Sequence, residues 1–304
     1  MTGGDLLTLI YRGPLASCNY GCRYCPFAKR VDTAAQLRRD QAALRRFVDR
    51  VIELSAESQP LRVLFTPWGE ALTRRWYRNA IGELSQHLAR VAVQTNLTCG
   101  TAWLSDTRTD RVGFWASWHP SETSLESFVQ RVCAADACGA SVSAGTVISA
   151  DRFDHALALR EALPEHVPTW LNPEAPRRHR FADEVLTQLE TVDPLLRQSL
   201  TQHRPLGLPC EAGERSLTVD GQGALRRCHF TEPVIGNLYH ADWPDALQPR
   251  LCPKGQCNCY LGYAQLPHLP IRDAMGDGLL ERHPGVTVRP ATVSSATTRK
   301  RETL

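Results

Sequence analysis

Three cysteines, Cys18, Cys22 and Cys25, stand within eight residues of one another in the stretch ASCNYGCRYCPFAKR. Two thiols could form a disulfide, and four could close a tetrahedral zinc site, the usual demand of structural zinc. Three fit neither, and no fourth ligand lies nearby, the first histidine being His87. The spacing C-x3-C-x2-C instead suits soft thiolates holding an iron–sulfur cluster with one iron left open. Zinc and buried apolar thiols are the competing readings.

A second group, Cys210, Cys228, Cys252, Cys257 and Cys259, gathers five of the eleven cysteines within fifty residues. Its thiolates suit one iron–sulfur cluster or, as the alternative, a four-thiolate zinc site. Cys257 and Cys259 stand two positions apart, and one of them is expected to be a spectator. Cys99, Cys133 and Cys138 read as buried core thiols.

The surroundings favour metal or catalysis over disulfides. The N-terminus carries Asp5 and no basic segment that would mark a signal peptide, and no apolar run reaches the length of a membrane span. A cytoplasmic location is expected, where thiols stay reduced. The net charge is +3, and the last twenty residues hold four basic side chains against Glu302 alone, so the body is balanced. That balance gives no sign of a nucleic-acid partner, and nothing suggests a membrane.

The elements that must position the first three thiols form a series. Short apolar runs at 6–11, 61–65, 90–95, 111–117, 140–148 and 167–171 are rich in β-branched or aromatic residues and read as buried strands. Amphipathic segments at 33–56, 72–89, 121–137, 150–163 and 181–200 read as helices, and the short GTAWLSDTR after the third strand is the weakest of the helix candidates. Six strand–helix units imply an α/β fold with a parallel sheet, either doubly wound or a closed or partly closed barrel. Both place chemistry at the C-terminal ends of the strands, where the first cysteine loop sits. After residue 205 the texture changes to a hairpin signal at Asp220–Gly223 and a proline- and cysteine-bearing stretch. The expected divisions are 1–205, a small Cys-rich domain at 206–270, and an extension at 271–304, basic and disordered at its end.

These residues resemble the radical S-adenosylmethionine (SAM) superfamily: C-x3-C-x2-C after the first strand, with aromatic Tyr24 before the last cysteine. The resemblance implies a partial (βα)6 barrel of TIM type, and a [4Fe–4S] cluster on Cys18, Cys22 and Cys25 whose fourth iron SAM chelates. It implies reductive SAM cleavage to a 5′-deoxyadenosyl radical that abstracts a hydrogen atom from a substrate, a peptide, a protein or a small metabolite. A one-electron reductant such as flavodoxin or ferredoxin would supply the electron.

The family usually has Gly-Gly-Glu-Pro after strand two. Here Gly69 and Glu70 match while Trp68 and Ala71 depart, and Glu70 would accept from the SAM amine or, on the competing reading, cap a helix. Thr95 and Asn96 match a Thr-Asn-Gly stretch in which Leu97 replaces the glycine. Ser117 falls at a ribose-contact position, His119 is a pocket candidate or a turn residue, and Asn172 faces the same mouth. The second cysteine group resembles SPASM and Twitch auxiliary-cluster domains, which implies a second [4Fe–4S] cluster, although its C-x4-C-x-C ending departs from the SPASM pattern. The chain also resembles a bacterial radical SAM family sharing YRGPL, SCNY and YCPFAKR, a likeness that gives no substrate. The rival class is a non-enzymatic metal-binding or electron-transfer module.

Overall fold

The computed structural model describes residues 6–27, 30–57, 60–174 and 181–287. Six parallel strands, β1 (Leu7–Arg12), β2 (Leu61–Phe65), β3 (Arg90–Thr95), β4 (Val112–Trp118), β5 (Ser141–Ile148) and β6 (Thr169–Pro173), lie side by side in chain order. Helices α1 (Ala34–Glu57), α2 (Arg75–His87), α3 (Leu125–Ala137), α4 (Asp154–Ala162) and α5 (Asp183–Val192) alternate with them, and a short α6 (Leu196–Leu200) follows. The connection after β3 holds two 3-10 turns, Ala102–Asp106 and Thr109–Arg111, in place of a helix. Thr33 and Gln36 start α1 with a reciprocal cap, each side chain accepting from the other's backbone N–H at 3.3 and 2.8 Å.

Strand side chains alternate between two layers. Leu9, Val63, Val91 and Phe114 face the helices and share a core with Leu44, Phe47, Val48 and Val51 of α1. Burying each of these large side chains stabilises the fold by about 1.5–3 kcal/mol. Ile10, Leu64, Ala92, Trp115 and Trp170 face the other way, into the hollow of the sheet.

The C-terminal third is less separate than its texture suggests. Strand β7 (Pro209–Cys210) precedes β8 (Ser216–Asp220), which adds to the sheet in parallel beside β1, from Thr8↔Ser216 to Arg12↔Asp220. Strands β9 (Ala224–Arg226) and β10 (Gly236–Asn237) continue the sheet antiparallel, so the full order runs from β10 through β1 to an open edge at β6. Leu217, Val219, Leu225 and Trp243 lie in the same core as the first strands. The expected boundary near residue 205 thus marks a change of texture and not a separate core.

Residues 271–287 are an integral plug, and the basic end of the tail lies outside the described residues. Helix α7 (Tyr260–Tyr263) and helix α8 (Ile271–Met275) lead into Leu279 and Leu280, all packed into the hollow. Glu281 is fully buried and pairs with buried Arg90 at the N-terminal end of β3, with Ser141 donating to its carboxylate at 3.1 Å. Arg282 lies 4.4 Å from the Tyr260 ring and 5.0 Å from that of Trp170, with Asp193 at 3.6 Å. The hollow is therefore filled from the end opposite the cysteine loop.

Glu281→Ala leaves the Arg90 guanidinium buried beside an empty acceptor position. It should lower unfolding free energy by about 3–5 kcal/mol, the usual cost of breaking a buried pair. Urea unfolding measures this, and a loss below about 0.5 kcal/mol, typical of a surface change, would contradict the plug.

Candidate active site

The loop after β1 has no regular secondary structure from Gly13 to Arg30 among its described residues, so its backbone must be held by neighbours. Four sets of contacts do this. From the start of α1, Asp32 accepts from Ala16 N at 2.9 Å, and from Ser17 N and Ser17 Oγ at 2.8 Å each. Buried Asp40 accepts from Leu15 N and Tyr77 Oη at 3.1 Å and from Trp76 Nε1 at 2.7 Å. After β2, Gly69 N donates to Leu15 O at 3.0 Å and Glu70 N to Ser17 O at 3.1 Å. After β3, Asn96 Nδ2 donates to Asn19 Oδ1 at 2.9 Å, and Asn19 Nδ2 donates to Thr98 Oγ1 at 3.0 Å. After β4, Glu122 accepts from Gly21 N at 3.1 Å, while His119 Nδ1 lies 2.7 Å from Tyr24 Oη and 3.3 Å from Cys22 Sγ.

These contacts hold the loop that carries Cys18, Cys22 and Cys25 at the C-terminal ends of the strands. Burial raises the Cys18 thiol, and burial followed by the Glu122 charge pushes Cys22 up to about 11. The Cys25 thiol adds a smaller rise to each. Tyr20 N donates to Cys18 Sγ at 3.4 Å. His119 is pushed down to about 4 by burial and stacks on the Tyr24 ring. It is a member of the site and not only a turn residue.

Strand alternation decides where the other expected residues point. Ser117 and Asn172 follow Trp115 and Trp170 by two positions, so they share the hollow-facing side at the mouth. Thr95 follows Val91 and Val93 on the opposite face and is buried. Its hydroxyl donates to Glu70 Oε1 at 2.6 Å.

The Glu70 carboxylate also accepts from Leu72 N at 3.0 Å and Asn96 N at 2.7 Å, and it is buried. Burial and three donors from the protein make Glu70 a cap and clasp, with Thr95 as one of those donors. Its carboxyl is raised by burial, against which those donors act. Leu97, at the family's glycine position, takes φ 54°, a left-handed conformation that disfavours a side chain, and offsets it by burying that side chain in the core.

The second cysteine group converges as well. Cys210 and Cys252 are buried and the other three half-buried, around the short pair β7 and β11 (Arg250–Leu251). Cys257 is pushed up to about 12 by burial first and then by Cys259, Cys228, Cys252 and Cys210. Cys210 and Cys252 belong to one buried cluster, against which Cys228, Cys257 and Cys259 all pack. Phe230 N donates to Cys228 Sγ at 3.4 Å. Among the described residues no three His, Cys, Asp or Glu side chains form a ready site for a single metal ion. The remaining cysteines depart from expectation: Cys138 is exposed at the end of α3, and Cys99 and Cys133 are half-buried. The buried face of α3 runs through Phe128, Val132 and Ala135, which leaves Cys133 at its flank.

Sequence comparison finds no matching family model and no matching curated protein. Comparison of structures does find matches. Streptococcus suis SuiB bound to precursor peptide SuiA matches with a TM-score of 0.53 at 11% identity, over 80% of this chain and 65% of SuiB. SuiB bound to S-adenosylmethionine gives 0.50 at 12% identity, over the same shares. Native anSMEcpe with bound AdoMet and Kp18Cys peptide gives 0.52 at 11% identity, over 80% of each chain.

The fold is the partial barrel of SuiB and anSMEcpe.

At these identities the likeness is one of fold, and this chain spans about 65% of the SuiB length. Within that barrel the Gly69 contact is the tightest point of the cysteine loop's support. A Cβ on Gly69 would stand 2.0 Å from Ser17 O, a backbone atom that cannot swing away. Gly69→Ala should therefore displace the loop and speed alkylation of Cys18, Cys22 and Cys25 by iodoacetamide in metal-free protein, read by mass spectrometry. Unchanged rates would show that the loop does not depend on this approach. Glu70→Gln turns an amide N–H₂ toward a backbone or hydroxyl donor and should cost about 1–3 kcal/mol in unfolding free energy.

Proposed function

We propose that the chain is a radical SAM enzyme acting on a peptide, with a small metabolite as the narrower alternative. The observation that carries this reading is the trio Cys18, Cys22 and Cys25, held at the open mouth of a radical SAM partial barrel. The donor set fits the cofactor. Three thiols can hold a [4Fe–4S] cluster and leave one iron for SAM. Thiols raised by burial lose their protons when metal binds, so loading releases protons. Together, cluster and SAM would supply hydrogen-atom abstraction driven by reductive cleavage of SAM.

The chain's own residues divide the remaining work. Asp32, Asp40, Gly69, Glu70 and Glu122 fix the loop. Tyr24, Gly69, Asn96, Ser117 and Asn172 are the mouth residues proposed to contact SAM. The five C-terminal thiols would hold a second [4Fe–4S] cluster, with zinc as its alternative, and a one-electron reductant of the flavodoxin or ferredoxin kind would serve the first. A peptide is favoured by the exposed apolar side chains beside the cysteines. Phe27, Leu208, Phe230 and Leu251 are 43%, 40%, 45% and 62% exposed, each within two residues of a cysteine. SuiB and anSMEcpe, of the same fold, were each seen with a peptide.

Anaerobically reconstituted protein given dithionite and SAM should release 5′-deoxyadenosine, and Cys18→Ala, Cys22→Ala or Cys25→Ala should each reduce release to background. Release at the unsubstituted rate from any of the three would overturn the assignment, and none from the unsubstituted protein would favour a metal-binding or electron-transfer module. Iron should approach about eight atoms per chain and fall to about four in a Cys210→Ala/Cys228→Ala double variant. Near-stoichiometric zinc with about four irons would make the second centre structural zinc.

A further inference from the structure

Between the two cysteine groups stands an arginine with an unusual set of neighbours. Arg12 ends β1, six residues before Cys18, on the strand face that looks into the hollow. Its Nε donates to Thr66 O at 3.0 Å, and its guanidinium carbon lies 4.1 Å from the Trp68 ring centroid, so its orientation is fixed. Its Nη1 is buried with no hydrogen-bond acceptor. Arg12 follows Ile10 by two positions on the same strand face, and Ile10 lines a cavity shared with Cys228, His229 and Cys259. Trp68, which fixes the guanidinium, is one of the positions where this chain departs from the family's Gly-Gly-Glu-Pro.

His229 lines the same cavity as Ile10. It follows Cys228 in sequence, and both of its ring nitrogens are buried without a partner. It lines a cavity of about 10 Å³ together with Cys228, Cys259 and Thr218, whose hydroxyl is also buried and unpartnered. Native proteins leave few buried donors unmet, and a cluster of them beside thiols calls for an acceptor. One water could answer Thr218 and one ring nitrogen. It would not supply the negative charge that a buried guanidinium requires.

We propose that Arg12 and His229 are the cation and the N–H donor of the second cysteine-held centre, with Cys259 as a ligand whose thiolate Arg12 faces. The inference rests on the reading of that group as an iron–sulfur centre. Thiolate-ligated clusters carry net negative charge, and each one-electron reduction adds more. A fixed cation and N–H donors to sulfur favour the reduced state and so raise the reduction potential. The strand that launches the first cysteine loop would thereby also set the potential of the second centre. Arg12 and His229 are tuning residues in this account and touch no reacting atom.

The test is an anaerobic redox titration of the reconstituted holoprotein, followed by electron paramagnetic resonance with iron counted in parallel. Arg12→Gln should lower the potential of the second centre more than that of the first, Arg12→Lys should restore most of the shift, and His229→Phe should lower it in the same direction. Potentials in Arg12→Gln equal to the starting protein, or equal shifts in the Gln and Lys variants, would overturn the proposal. If Arg12→Gln loses the iron of the second centre, retention by Arg12→Lys supports the charge role, and loss from both overturns it. Failure of the underlying reading is seen separately, as an unsubstituted protein with only one iron–sulfur centre.

Discussion

The buried carboxylate of Glu70 is the junction on which the mouth of the barrel depends. It binds the turn after β2 to itself through Leu72 N and to the end of β3 through Thr95 and Asn96. Its own backbone N–H, with that of Gly69, carries the cysteine loop. A buried charge is costly unless its lone pairs are met, and three donors meet them here. Loss of that arrangement would release two strand ends and the loop together. The loop has no helix or strand to stiffen it, so the position of the thiols is a property of their neighbours.

The barrel's other end explains why chemistry has one entrance. Trp115, Trp170, Tyr260 and Arg282 fill the hollow, and Glu281 closes it against Arg90, Ser141 and Ser143. The packing that stabilises the fold thus leaves the C-terminal ends of the strands as the open side. Strand β8 joins this arrangement beside β1, and Cys228 and Cys259 of the second group line one cavity with Ile10 of β1. The sheet and the two thiol groups are therefore one construction.

Much of the scaffold was legible because it is local. Runs such as LRVLF and RVAVQT carry their β-branched and aromatic content within five or six residues, and the observed strands match them within two residues at each end. The weakest helix candidate, GTAWLSDTR after β3, is instead part of a connection with two 3-10 turns. The thiol trio stands out in the sequence by its spacing. The clamps were not legible, because Asp32, Asp40, Glu122 and His119 meet the loop across 15 to 101 positions of sequence. No periodicity marks such contacts. The burial of Glu281 and Arg282 was hidden likewise, since two charged residues near a basic tail read as solvated. The facing of Thr95 could have been found: counting alternate residues from Val91 puts it on the helix side.

The central claim is that the three thiols of the first loop leave one iron open to SAM. Electron paramagnetic resonance of the dithionite-reduced Cys210→Ala/Cys228→Ala variant, recorded with and without SAM, tests it with the second centre removed. The account predicts a [4Fe–4S] signal whose line shape changes when SAM is added. A cluster signal that SAM leaves untouched, or no cluster signal in a folded protein with all three thiols intact, would contradict it.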